Sequence, residues 1–280
     1  MAIPYLNGYT IKPAKINSLG IVEFTDGTNS VTPNEQQCQA YGYTYDKTTG
    51  TCRAFNSNTN LERNVANVNN NIQGAGNVTG TGTNNTYIMG EDNTVRGFSA
   101  NNIIIGTNNV IDNGINNAFV YGHFGEVTTS NTIVLGGNAA ADNLGERQSI
   151  RLMYGTQTTA GTTTNSFLNN TTDSFFVIPR NAICYFHADV IAVRVGGTGE
   201  GSVGDYASWV ERGVVINKSG TLSVQRERDV IKTSGSVSNW RPAANVTGTN
   251  FRITVRGDAD QTIEWNSNIT FTQIKTGVTL

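Results

Sequence analysis

Five copies of one short pattern occupy the middle of this chain, and they restrict its fold more than any other feature. Each copy ends in a glycine, and successive glycines are 16, 16, 16 and 14 residues apart. The glycines are Gly74, Gly90, Gly106, Gly122 and Gly136. Each is preceded by an asparagine five positions earlier, namely Asn69, Asn85, Asn101, Asn117 and Asn131. A β-branched aliphatic residue lies two positions before each glycine, namely Ile72, Ile88, Ile104, Val120 and Val134. Disorder would not keep such a register, so the pattern predicts stacked structural units.

A parallel β-solenoid explains this register physically. Its coils stack at about 4.8 Å, the normal separation of strands, so that equivalent residues lie above one another. We expect the aliphatic column to fill the interior and the asparagine column to share side-chain amide hydrogen bonds from coil to coil. We expect the glycines at the corners, where a tight turn demands a positive φ. A further apolar position follows each glycine, at Val78, Val95, Val110, Val127 and Ala140.

Composition divides the chain into three zones. Residues 64–144 contain 19 of the 36 asparagines and only one basic residue, Arg96, whereas 1–63 and 145–280 have balanced charges. After Asn143 the asparagine column stops, and runs such as 184–195, 208–216 and 221–228 indicate β-strands separated by turns. We therefore predict an all-β chain with a short β-solenoid shaft (a β-roll) at 64–144 and an antiparallel β-sandwich or jelly roll at 145–280.

Several functional classes are disfavoured by the composition. Six lysines and a net charge of −2 predict no nucleic-acid binding, and no apolar run is long enough for membrane insertion. The first twenty residues lack a continuous apolar stretch, so we expect no secretory signal. Two isolated histidines and no CxxC motif predict no metal site and no cofactor. The acidic residues of the repeat form no recognisable catalytic pair, so we expect no catalytic residues and no enzymatic activity.

Cys38 and Cys52 enclose a predicted hairpin turn at 46–50. A disulfide that closes this loop would contribute about 3 kcal/mol to stability. A chain that is assembled in a reducing cytoplasm would instead keep both residues as thiols. The sequence leaves both states open.

The repeat resembles the head repeats of trimeric adhesins, most clearly at NTIVLGGNAAA (131–141). Those heads are parallel β-rolls that pack as trimers, so the resemblance implies a homotrimer. This chain differs from them in its 16-residue spacing and in having asparagine where the adhesins have serine or alanine.

The last zone is similar to the C-terminal β-domains of tailed-phage fibres and appendages. The resemblance rests on FFVIPRNA (175–182), WVERGVVI (209–216) and TIEWNSNITFT (262–272). Such domains cap a repetitive shaft, so the resemblance implies a structural protein of the virion, assembled in the host cytoplasm.

The two resemblances together predict a trimeric phage fibre or appendage that contributes to attachment to the host surface. Residues 1–63 would anchor it to other virion proteins, and the last zone would contact a host-surface glycan or protein. The sequence identifies no receptor-binding residue. Two alternatives stay open: a polysaccharide-depolymerising spike, and a trimeric adhesin that does not belong to a phage.

Overall fold

The computed structural model describes residues 11–17, 20–47, 49–54, 67, 69–137, 144–235 and 237–276. These ranges contain one helix, α1 (Glu35–Ala40), which is not long and apolar enough to cross a membrane. The strands of the described ranges are β1 (Lys12–Ile16), β2 (Val22–Thr25), β3 (Ser30–Val31), β4 (Thr44–Asp46), β5 (Thr51–Arg53), β6 (Asn71–Gln73), β7 (Val78–Thr79), β8 (Tyr87–Glu91), β9 (Thr94–Val95), β10 (Ile103–Thr107), β11 (Val110–Ile111), β12 (Phe119–His123), β13 (Glu126–Val127), β14 (Ile133–Gly137), β15 (Arg147–Thr158), β16 (Thr163–Leu168), β17 (Phe176–Val177), β18 (Ala182–Gly197), β19 (Tyr206–Lys218), β20 (Thr221–Thr233), β21 (Arg241–Thr247), β22 (Asn250–Arg256) and β23 (Gln261–Lys275). The predicted apolar position Ala140 lies outside the described residues, as do parts of 1–63.

The shaft, residues 69–137, is a stack of coils with two parallel sheets. The shaft sheet contains β6, β8, β10, β12 and β14, and the second sheet contains β7, β9, β11 and β13. Neighbouring coils pair in the register of the repeat, so Ile104 lies opposite Ile88 on one side and Val120 on the other. The prediction of an all-β chain with a short parallel β-solenoid is confirmed.

The interior of the shaft is filled by the aliphatic column. Ile72, Ile88, Ile104, Val120 and Val134 are all buried, and Val95, Ile111 and Val127 of the second sheet face them from the same hydrophobic core. Coils this short enclose only one such column per sheet. Stability therefore depends on each coil burying its apolar residues against its neighbours.

The repeat positions require glycine for a steric reason as well as for their backbone conformation. Gly90 and Gly106 have φ angles of 134° and 137°, which side-chain-bearing residues rarely adopt. A Cβ atom on either residue would also overlap the carbonyl oxygen of the glycine one coil further on, Gly106 or Gly122. At the end of the column Gly136 differs, because a Cβ there would instead meet the backbone of His123 and Gly125.

The shaft sheet continues without interruption into the distal unit, residues 144–276. Strand β15 pairs antiparallel with β14, placing Ile150 opposite Val134, and the sheet then runs through β23, β18 and β19 to β20. A smaller antiparallel sheet of β16, β22, β21 and β17 adjoins it. One hydrophobic core extends from Ile72 in the first coil to Phe271 in β23.

Aromatic side chains fill the core between the two sheets of the distal unit. Phe186, Phe251 and Phe271 contact one another, with ring centroids 5.0 to 6.3 Å apart. The buried hydroxyl of Tyr154 donates to the carbonyl oxygen of Phe251 at 2.9 Å and accepts from the N–H of Phe176 at 2.8 Å. Burial raises the pKa of Tyr154 above its ordinary range.

A small unit lies near the N-terminus. Helix α1 begins at a capping box, in which Asn34 and Gln37 exchange hydrogen bonds of 2.9 Å. Cys38 of the helix and Cys52 of β5 form a disulfide, with their Cα atoms 5.6 Å apart. Both cysteines are buried with Val22 and Phe24 in a separate hydrophobic cluster.

Glu211 of β19 is a carboxylate whose side chain is fully buried in the distal unit. Its Oε2 atom lies 3.2 Å from Nη1 of Arg226, and Arg228 approaches its Oε1 atom at 3.9 Å. Burial raises the pKa of Glu211, and the two arginines oppose that rise only in part.

We predict that replacing Gly106 by alanine destabilises the shaft by about 2–4 kcal/mol, because the new Cβ atom meets both a strained φ and a carbonyl oxygen. The matched control is Gly137→Ala, since a Cβ at Gly137 meets no atom within 4 Å. Urea unfolding of both variants measures the effect. Equal midpoints for the two variants would contradict the stacking.

We predict that Glu211 makes the distal unit less stable as pH rises through its raised pKa. Between the ordinary pKa of 4.5 and the raised value, the folded state holds more protons than the unfolded state, so the stabilising contribution is complete only below that window. Denaturant unfolding from pH 4 to pH 8 should therefore show that the free energy of unfolding of wild type increases relative to that of Glu211→Gln as pH falls. A difference between the two proteins that does not vary with pH would contradict this prediction.

Candidate functional site: the outer face of the shaft and the distal groove

The outer asparagine column forms a ladder at one corner of the shaft. The side-chain amides of Asn85, Asn101 and Asn117 donate to the side-chain oxygen one coil further on, at 3.1 to 3.2 Å, and the last acceptor is Asn131. All of these asparagines, and Asn69 before them, have φ angles of 49° to 60°. Asparagine is among the side-chain-bearing residues that best tolerate this left-handed conformation, so the column serves both the turn and the ladder.

A second asparagine ladder lies inside the shaft, and the sequence reasoning missed it. Asn77, Asn93 and Asn109 each follow a repeat glycine by three positions. Their amides donate to the carbonyl oxygens of the next glycines at 2.7 to 2.8 Å. Asn93 is fully buried, and its side-chain oxygen accepts both the backbone and the side-chain N–H of Asn109. The alignment that revealed the outer column contained this signal as well.

The outer face of the shaft sheet carries an exposed apolar surface. It consists of Tyr87, Met89, Ile103, Ile105, Phe119, Tyr121, Ile133 and Leu135. Six of these side chains are exposed by 42% to 55%, the exceptions being the half-buried Ile105 and Phe119. They form two columns because the first and third residues of each strand both point away from the core. We call this surface the outer face.

A shallow distal groove lies on the same side of the continuous sheet. It is lined by Tyr185, Arg212, Val214, Gln225 and Glu227 with neighbouring backbone, and it encloses about 470 Å³. Arg212 contacts Glu227 at 3.5 Å and Asp229 at 3.1 Å. The exposed ring of Tyr185 and these charged groups can bind a ligand that combines an apolar surface with hydrogen-bonding groups.

The tryptophans of the distal unit are not available as binding platforms. Trp209 and Trp265 stack with their ring centroids 5.7 Å apart, and Trp240 packs against Trp265. All three are at most 3% exposed, and the indole N–H groups of Trp240 and Trp265 donate to Gln261 and Thr158.

Within the described ranges, no three His, Cys, Asp or Glu side chains come close enough to hold a metal ion. Burial raises the pKa of the Cys184 thiol to about 12, so this thiol stays protonated at neutral pH. At the junction of shaft and distal unit, Glu126 pairs with Lys275, and in the shaft Asp112 pairs with Arg96.

Comparisons with known proteins found three structural neighbours. No protein-family profile and no curated protein matches the chain. The tailspike protein of Acinetobacter baumannii phage AM24 matches with a TM-score of 0.31 and 10% identity, over 76% of this chain and 51% of that one. Tailspike gp49 of Acinetobacter baumannii bacteriophage Fri1, described as a capsular polysaccharide depolymerase, matches with a TM-score of 0.26 and 6% identity, over 69% and 35%.

The third neighbour is the tailspike protein of Acinetobacter phage vB_ApiP_P1, with a TM-score of 0.22 and 9% identity, over 75% of this chain and 49% of that one. This chain thus spans about half the length of these tailspikes or less. All three neighbours are tailspike proteins of phages, and the resemblance of the last zone of the sequence also indicated a phage protein.

One sequence-based expectation is corrected by this comparison. We expected no enzymatic activity because the repeat shows no catalytic pair of acids. That expectation is wrong as an exclusion, since one of the three neighbours is described as a depolymerase and therefore as an enzyme. A search for paired acids within the repeat does not cover acids that the fold brings together from different strands.

We predict that Asn93→Ala destabilises the shaft by about 2–4 kcal/mol, because it leaves the Gly106 carbonyl and the Asn109 N–H without their buried partner. Asn101→Gly is the matched control: it removes an exposed amide while retaining the positive φ, and should cost less than about 1 kcal/mol. Chemical denaturation of both variants compares the two ladders. A larger loss in Asn101→Gly would refute a dominant inner ladder.

Proposed function

We propose that this chain is a structural protein of a tailed-phage virion, a fibre or spike that forms a homotrimer and attaches the particle to the host surface. The observation that carries this proposal is the outer face, a continuous apolar surface on a rigid stack of strands. The resemblances of the repeat and of the distal unit to trimeric adhesins and phage appendages supply the class of protein.

The outer face is suited to permanent burial between copies of this chain. A monomer that leaves two columns of aromatic and aliphatic side chains in water loses the free energy of burial, about 25 cal/mol for each Å² of apolar surface. Contiguous apolar surfaces of this kind usually mark interfaces. Among the eight residues of the outer face none is charged, which is the pattern of an interface core.

Three copies around one axis can bury the outer face of every chain in a closed ring. Each copy presents the outer face to its neighbours, and a rotation that closes prevents growth into a filament. A parallel trimer also places three distal units at the same end. Three weak binding sites then act together, which raises the overall affinity for a repetitive surface.

The zones take different roles in this proposal. Residues 1–63 contact other virion proteins, the shaft sets the length, and the distal unit meets a host-surface glycan or protein. Assembly takes place in the host cytoplasm, before release of the particle. If the chain also cleaves the glycan that it binds, it acts as a depolymerase like the one described for phage Fri1.

We predict that Tyr121→Glu dissociates the trimer at micromolar concentration. Tyr121 is 55% exposed in the single chain, and a charge in its place would be buried without a partner, at a cost of about 2–4 kcal/mol per chain. Thr94→Glu is the control, because Thr94 lies on the second sheet, away from the outer face. Sedimentation velocity of both variants measures the change. Intact assembly of Tyr121→Glu alongside a dissociated Thr94→Glu would place the interface elsewhere.

Host attachment is tested with the full chain and a panel of encapsulated bacteria. We expect fluorescently labelled protein to bind at least one strain and to lose that binding when the capsule is removed. Reducing ends measured in the same incubations report any cleavage of the capsule. Equal binding to all strains, with and without capsule, would contradict recognition of a surface glycan.

A further inference from the structure

Phe98 occupies a conformation that aromatic residues rarely adopt. Its φ angle is 56°, in the left-handed region that favours glycine and asparagine. Its side chain is 70% exposed, the largest fraction among the exposed large apolar residues of the described ranges. Neither backbone strain nor an apolar ring in water stabilises the fold. Such a combination is typical of positions kept for function.

The surrounding coils leave this ring uncovered. The equivalent residue one coil earlier is Gly82, and a Cβ atom there would lie 3.1 Å from Cδ1 of Phe98, so the ring rests against a glycine. One coil later the position is Gly114, where a Cβ would meet no atom within 4 Å. The ring of Phe98 therefore packs against Gly82 on one side and faces open space on the side of Gly114.

The shortened fourth coil enlarges this opening. Ile111 pairs with Val127, and the N–H of Asn116 donates to the hydroxyl of Ser130 at 2.9 Å. Four residues, 112–115, lie between Ile111 and Asn116, whereas only two, 128–129, lie between Val127 and Ser130. The later coil is therefore two residues shorter at the corner that contains Gly114 in the coil before it. The irregular 14-residue spacing of the repeat thus falls at the corner that presents Phe98.

Hydrogen-bonding groups accompany the ring. Arg96, two residues before Phe98, contacts Asp112 of the next coil at 2.7 Å between Nη1 and Oδ1. Both side chains remain in contact with solvent, with 55% and 29% of their surface exposed. A guanidinium group carries five N–H donors and a carboxylate about four lone pairs, so this one contact leaves both groups with capacity for further donors and acceptors.

We propose that Phe98, Arg96 and Asp112 form a saccharide-binding site on the side of the shaft, which takes one pyranose ring of a host-surface polysaccharide. This inference rests on the proposed function, since it adds a glycan contact on the shaft to the host-surface contact proposed for the distal unit. A pyranose combines a face of C–H groups, which packs on the negative face of an aromatic ring, with a rim of hydroxyl groups. Arg96 and Asp112 supply a donor and an acceptor for that rim.

A single isolated ring is less suited to a protein partner. Protein interfaces bury a contiguous apolar patch around their anchor residues, whereas Phe98 is flanked by glycines and an ion pair. Phe98 also follows the second sheet in its coil and so lies apart from the strands that form the outer face. Three copies in a trimer would engage a repetitive polysaccharide together.

The experiment compares two substitutions that relieve the same backbone strain. Phe98→Asn removes the exposed ring, and Phe124→Asn acts on the equally left-handed Phe124, with a φ of 52°. Asn108, one coil before Phe124, already holds an asparagine in that conformation. The full-length chains are tested by surface plasmon resonance against immobilised capsular polysaccharides and O-antigens, and by thermal melting and sedimentation.

We expect Phe98→Asn to weaken binding to the recognised polysaccharide at least tenfold while its melting temperature stays equal or rises. Phe124→Asn should bind as wild type does. Arg96→Ala should weaken binding without dissociating the trimer.

Three outcomes would overturn the assignment. If Phe98→Asn binds as wild type and Tyr185→Ala does not, the distal groove is the glycan site and only this inference fails. If Phe98→Asn dissociates the trimer, Phe98 is an interface residue. If the wild-type chain binds none of the polysaccharides, the proposed attachment to a glycan fails together with this site.

Discussion

The close approach of equivalent backbone positions in successive coils is the constraint on which the structure depends. The glycines near the end of the strands in the shaft sheet, rather than at the expected corners, lie so near one another that a single added carbon would overlap a carbonyl oxygen, as at Gly90 and Gly106. The buried amides of Asn77, Asn93 and Asn109 bind those same carbonyl groups. Sterics and hydrogen bonding therefore fix one register, because a slip of one residue would place a side chain against the backbone.

That register also separates the side chains into two sets. The second residue of each strand of the shaft sheet fills the shaft, and the first and third residues of β8, β10, β12 and β14 form the outer face. The same sheet then passes through the antiparallel pairing of β14 with β15 into the distal unit, so one hydrophobic core joins both parts. Backbone hydrogen bonds between β14 and β15 therefore join the shaft to the distal unit.

The sequence predicted the local features of this fold well and the non-local ones poorly. The positions of the Ile104 and Asn101 columns follow directly from the repeat, because each coil contacts only its neighbours. The pairing of Arg151 with Thr270 does not follow, since it joins strands far apart in the chain without a repeating signal. The exposure of Phe98 depends on glycines one coil away.

The most direct measurement for this account is the native mass of the full chain by light scattering at micromolar concentration. The outer face predicts one species of three 30.0 kDa chains, stable on dilution because an apolar interface of this kind is buried permanently. A single 30.0 kDa chain that remains soluble and folded would show that the outer face needs no partner, and would contradict the account.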